Sequence, residues 1–129
     1  MNTKKFYKYL PALFAFLLVH ANVMSQTKQD KIKYKSFTVN VVQKRIAIDW
    51  ATDNKVPTNY FEIQRSMDGI NFKTIALVLG PDPKEKNCDC YECFDKPATS
   101  TKKYFYRLKH VDTDGEIQLS ETRMLAMNK

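Results

Sequence analysis

Glycine is scarce in this chain, with three in 129 residues. That excludes a glycine-rich phosphate cradle, which needs several backbone N–H groups turned toward one point. Histidine is scarcer still. His20 sits in the N-terminal apolar stretch, leaving His110 alone in the rest. With one histidine and no G-x-S-x-G, no nucleophile–base pair can be assembled, so no catalytic and no cofactor-binding residue is assigned and no enzyme is expected. Beyond residue 25 there is no further long apolar run. Cysteine is confined to one stretch, "NCDCYECFD" (87–95), which holds Cys88, Cys90 and Cys93.

The N-terminus has a different character. Lys4, Lys5 and Lys8 precede the apolar run Leu10–Val19, which Pro11 interrupts. That run falls well short of the about 20 apolar residues that cross a bilayer. Val23 and Ser25 are small residues at −3 and −1 of a cut before Gln26. Residues 1–25 are therefore expected to be a signal peptide, the alternative being an uncleaved anchor. The product would be periplasmic or extracellular, without stable membrane insertion after cleavage. No cysteine lies near the cut, which excludes lipid attachment there. Removing residues 1–25 takes away three lysines and no acids, so 18 Lys and Arg face 14 Asp and Glu. Much of the formal +7 is thus targeting charge, and no nucleic-acid partner is expected.

Residues 26–35, "QTKQDKIKYK", read as a flexible leader, and 36–129 as one domain. From Phe37 onward the apolar period is two. Phe37, Val39 and Val41 alternate with polar neighbours, as do Ile46, Ile48 and Trp50, then Phe61, Ile63 and Arg65. Ile75, Leu77 and Leu79 follow, then Tyr104, Tyr106 and Leu108, then Ile117 and Leu119. Asp68-Gly69 and Asp114-Gly115 lie between strand patterns and suit tight hairpins. Pro57, Pro81, Pro83 and Pro97 also fall between strands, where a missing N–H is harmless. The pattern predicts an all-β, antiparallel β-sandwich of about seven strands.

"RIAIDW", ending in Trp50, and "YFYRLKHVDTDG", beginning at Tyr104, resemble the second and sixth strands of the fibronectin type III superfamily, an immunoglobulin-like sandwich. "YFEIQRSMDGINFKTI" (60–75) together with the 104–115 block is similar to a fibronectin type III-like module of secreted Bacteroidetes proteins. The resemblance covers about residues 36–127. It implies that Trp50 is a core residue and that Tyr104 holds the tyrosine-corner position, its hydroxyl bonded inside the protein. It implies that Tyr91 and Cys93 point inward, Cys93 standing in for an apolar residue. It implies a binding or structural role with a protein or glycan partner rather than a reaction. The chain runs out at Lys129, so the C-terminal sorting domain that often follows this module is expected to be missing.

The three cysteines carry the only sharp chemistry. On a continuous strand Cys88 and Cys90 would lie about 6.6–6.8 Å apart with parallel side chains, at the upper edge for a disulfide. Cys93 would face the other way. A bridge therefore needs a turn, and Cys93 with either Cys88 or Cys90 is the expected pair. So short a loop would stabilise by only about 2 kcal/mol. The leftover loop thiol would be a candidate for linking two chains. The competing reading is a metal-handling or redox-sensing protein built on Cys88, Cys90 and Cys93. It lacks a fourth ligand near in sequence, and Asp89 and Glu92 disfavour a thiolate. No metal site is assigned.

Two further clusters have plain readings. Asp112, Asp114 and Glu116 flank Gly115 as a hairpin turn rather than a calcium loop. Lys103, Phe105, Arg107 and Lys109 are expected to form one exposed strand face, and Lys31, Lys33 and Lys35 to guard an edge strand.

Overall fold

A computed structural model describes residues 30–53, 55–98 and 101–127. The expected signal peptide and the start of the leader lie outside the described residues. Eight strands form: β1 (Tyr34–Val42), β2 (Arg45–Thr52), β3 (Thr58–Ser66), β4 (Lys73–Val78), β5 (Cys90–Asp95), β6 (Lys103–Asp112), β7 (Ile117–Leu119) and β8 (Arg123–Ala126). They make two antiparallel sheets. One has the order β1-β2-β5; the other has the order β4-β3-β6, with β7 and β8 both pairing with β6. The fold is an all-β sandwich, and no helix occurs among the described residues.

The eighth strand arises because the expected last strand is broken at Ser120. The Ser120 hydroxyl accepts the Leu108 N–H at 2.8 Å, while its own N–H donates to the Leu108 carbonyl at 2.8 Å. A side chain thus replaces a backbone acceptor for one step of the ladder, and the chain bends before pairing resumes at Arg123.

The core lies between the sheets. Phe37, Ile46, Ile48 and Trp50 from one sheet meet Phe61, Ile63, Tyr104, Tyr106 and Leu108 from the other. Fully burying a side chain of this size stabilises by about 1.5–3 kcal/mol. Trp50 stacks on Tyr91 with ring centroids 5.2 Å apart, and Phe61 sets its edge against both rings. These are the arrangements that the aromatic quadrupole favours.

Two local readings are corrected. Ile75, Leu77 and Leu79 do not share one inward face. Gln64 pairs with Thr74 and Ile63 with Ala76, so Ile75 is an extra residue on β4. Such a bulge switches the facing of everything beyond it. Ile75, Ala76 and Val78 pack on the core, while Leu77 and Leu79 are exposed. The two Asp-Gly pairs have the positive φ expected at Gly69 and Gly115, but in loops longer than two residues. The two-residue turn is Gln43-Lys44, between β1 and β2, where both residues have positive φ (49° and 64°) without a glycine.

Candidate functional site

The cysteines are placed differently from the expected pairing. Cys88 and Cys90 are in disulfide contact, and Cys93 is the free thiol. The reason is where the strand begins. β5 starts at Cys90, so Cys88 lies on a bend and the two Cα atoms are 5.3 Å apart instead of the extended spacing. Cys93 pairs with Ile48, on the face that packs on the core, while Cys90 pairs with Ala51 on the outer face. The inward placement expected of Tyr91 and Cys93 is what the register gives. Burial, and then the charge of Asp95, push the Cys93 thiol above its ordinary value. The three sulfurs therefore do not converge, and the thiol left over is not on the loop. Among the described residues no three His, Cys, Asp or Glu side chains are grouped to hold a metal.

The loop before β5 folds back on the outer face. Asp82 N–H donates to the Cys90 carbonyl at 2.7 Å, and Thr52 N–H to the Asp89 carbonyl at 3.1 Å. A cleft of about 390 Å³ opens there, lined by Asp49, Asp82, Glu85 and Glu92 together with Cys90. Asp49 and Glu92 are direct cross-strand partners. Burial raises the Asp49 carboxyl above its ordinary value.

A second polar cluster joins the two sheets. Arg65 shares a face with Phe61 and Ile63, so its side chain runs into the end of the sandwich. It donates to both oxygens of Asp95 at 2.8 Å. The Tyr106 hydroxyl donates to the same carboxylate at 2.7 Å. Both tyrosines at the start of β6 are buried, and the Tyr106 bond to Asp95 is one that the sequence pattern does not indicate. The side chain that bonds Asp95 sits two positions further along the same inward row. Sequence reasoning placed Arg65 on the core face without seeing its partner, because Asp95 is 30 residues away and its burial follows from the β5 register.

At the other end of β6, Asp112 is fully buried. Its Oδ1 accepts the N–H groups of Asp114 and Glu116 at 2.8 and 2.9 Å, so the carboxylate organises the turn, as the turn reading required. His110 is also fully buried, with Nε2 2.9 Å from the Thr58 hydroxyl. Because Thr58 donates its own proton to the Val56 carbonyl, Nε2 of His110 is assigned as the donor. Burial lowers the histidine's affinity for a second proton, against a smaller opposing pull from Asp112.

The outer face of the larger sheet is not a free basic surface. Arg107 donates to Gln64 at 2.7 Å and covers the Phe72 ring at 4.0 Å. Lys109 reaches Glu62 at 3.2 Å, and Thr74 donates to the same carboxylate at 2.9 Å. Burial alone would raise Glu62, but the bonds from Thr74 and Lys109 outweigh it, so its carboxyl sits below the ordinary value. Apolar side chains flank this ladder on the same face. Leu77 pairs with Glu62, Leu119 with Lys109 and Met124 with Phe105, and all three are more than half exposed. Of the three amino-terminal lysines, Lys35 lies within β1, an edge strand of the smaller sheet.

No protein-family model and no curated protein sequence matches the chain. Solved structures do match in shape. A pectate lyase, Pel3 from Pectobacterium carotovorum, aligns with a TM-score of 0.57 at 15% identity over 74% of this chain and 27% of that one. A β-1,2-glucanase from Parabacteroides distasonis aligns with a TM-score of 0.52 at 21% identity, over 76% of this chain and 13% of that one. The pectate lyase PelI from Erwinia chrysanthemi, solved with tetragalacturonic acid, aligns with a TM-score of 0.53 at 14% identity over 71% and 28%. At these identities the likeness is one of fold. This chain spans less than a third of the length of each.

Proposed function

We propose that the chain is an exported, non-catalytic binding or structural module with a fibronectin type III-like fold, its first strand beginning at Tyr34 after a shorter leader than the sequence suggests and a cleaved signal peptide. The observation that carries this reading is the outer face of the larger sheet. Leu77, Leu119 and Met124 are 58%, 53% and 59% exposed around a polar ladder whose members hold one another. Exposed apolar groups on both flanks of a polar ladder that is already ordered offer a partner apolar area and fixed polar groups together, as contact surfaces do. Two of the buried carboxylates are tied up internally, Asp95 by Arg65 and Tyr106, and Asp112 through Oδ1 by its own turn. The enzymes of similar shape are consistent with such a module, since the shared fold is a minor portion of each. The partner is a protein or glycan, met without nucleic acid or membrane insertion.

The metal-handling alternative loses its ligand set, because two sulfurs face each other and the third lies on the opposite face. A photo-crosslinking residue placed at Leu119 or Met124, in cells that export the protein, should capture a partner. The same residue at Thr38, on the other sheet, should not. Equal capture at all three positions would sink the assignment of this face.

A further inference from the structure

The disulfide contact and the acidic cleft share a residue, Cys90. We propose that Cys88–Cys90 is a thiol-exchange site whose surroundings select cationic thiols over anionic ones. Both cysteines are only half-buried, and Cys90 lines the cleft while Cys88 lies on the bend outside the strand. A small thiol entering by the cleft therefore meets the Cys90 sulfur first. Asp49, Asp82, Glu85 and Glu92 line its path, and no lysine or arginine does. A concave wall of one charge sign concentrates ions of the opposite sign and repels its own, an effect that salt removes.

The chemistry is ordinary thiol–disulfide exchange. The incoming thiolate attacks the Cys90 sulfur and forms a mixed disulfide. The Cys88–Cys90 bond breaks, and the Cys88 thiolate takes a proton from water. A second molecule of thiol then attacks the mixed disulfide, releasing the oxidised thiol dimer and the Cys90 thiol. One disulfide and two thiols in give one disulfide and two thiols out. Cys93 takes no part, because it faces the core on the other side of the strand. The surrounding carboxylates slow the attack of any anion, so the exchange is selective rather than fast. The matching reductant is a thiol carried on an amine, or on a positively charged protein surface.

The test uses the full exported chain and three small thiols: cysteamine, 2-mercaptoethanol and 3-mercaptopropionate. Each rate of reduction is normalised to the same thiol's rate with hydroxyethyl disulfide, and the exposed cysteines are alkylated and mapped. At low salt the normalised rate for cysteamine should exceed that for mercaptopropionate by about tenfold, and the ratio should fall toward one in molar salt. Glu85→Gln together with Glu92→Gln should shrink the ratio, raising the mercaptopropionate rate most, the mercaptoethanol rate less and the cysteamine rate least. Equal normalised rates at low salt would overturn the selectivity. Reduction seen only in denaturant, or Cys93 labelled as fast as Cys90, would overturn the site.

Discussion

The Tyr106 hydroxyl, on β6 of one sheet, is bonded at 2.7 Å to the Asp95 carboxylate, on β5 of the other. It is a polar rivet through an otherwise apolar layer. Burial, and then the bond to Asp95, hold the tyrosine proton on well beyond the ordinary range. Tyr106→Phe should lower stability by about 1–3 kcal/mol, since it leaves a buried acceptor short of a donor. Equilibrium urea unfolding measures this, and a loss indistinguishable from zero would show that the bond adds nothing.

Arg65 shares that carboxylate, so its removal is a different experiment. Arg65→Met keeps the stem but leaves Asp95 with only the tyrosine. The cost should be about 1.5–3 kcal/mol, the range for a charged hydrogen bond, since the Arg65 side chain is partly exposed. The double change Arg65→Met with Asp95→Leu should recover much of it. No recovery in a double-mutant cycle would mean that Arg65 acts by packing alone.

Trp50 is 1% exposed and its indole N–H has no partner among the described residues, so it is held by packing alone. Trp50→Ala should cost about 3–5 kcal/mol. Trp50→Phe, which keeps a ring against Tyr91, should cost distinctly less. A loss below about 1 kcal/mol for alanine would mean that the cavity collapses, which a rigid two-sheet core does not allow.

Gln43 and Lys44 occupy left-handed backbone that side chains with a Cβ disfavour. Replacing the pair by Asn-Gly should stabilise the protein by about 1 kcal/mol, since that pair suits a two-residue hairpin turn. The readout is the thermal midpoint, and a fall would show that the side chains there make contacts that outweigh the backbone gain.

His110 gives a pH dependence with a defined sign. Its affinity for a proton is depressed in the fold, mainly by burial, below the ordinary 6.5. The unfolded chain therefore takes up that proton first. Stability from this source is complete above about 6.5 and is lost as pH falls through the lower folded value. The urea midpoint should drop between pH 7 and pH 5. His110→Gln should be less stable at pH 7 yet show a flatter slope over that interval, and an unchanged slope would remove His110 as the cause.

The alternation of apolar residues made the sandwich legible, because strands with one wet face print their pleat on the sequence. Trp50, Ile46 and Ile48 were placed correctly by that rule alone. It failed on β4, where Ile75, Leu77 and Leu79 look like one row. A bulge is a single unpaired residue, and nothing in "KTIALVLG" marks which one it is. Nor does the alternation show the Tyr106–Asp95 bond, because Tyr104 and Tyr106 lie on the same inward row and the position of Asp95 decides which of them reaches it. The cysteine pairing was misjudged for a related reason. Spacing sets the limits for a bridge, but the residue at which β5 begins decides whether Cys88 is on a strand or a bend.

The Cys88–Cys90 contact encloses a single residue, Asp89. Nothing covalent therefore joins one sheet to the other, and no long span of chain is closed into a loop. Under a mechanical load applied at its two ends, the domain would yield by shearing its ladders and parting its sheets. It would then pay out almost its whole contour length, at about 3.3–3.6 Å per residue. Set between two anchored bodies, such a domain is an extensible tether, and the bridge would not act as a stop.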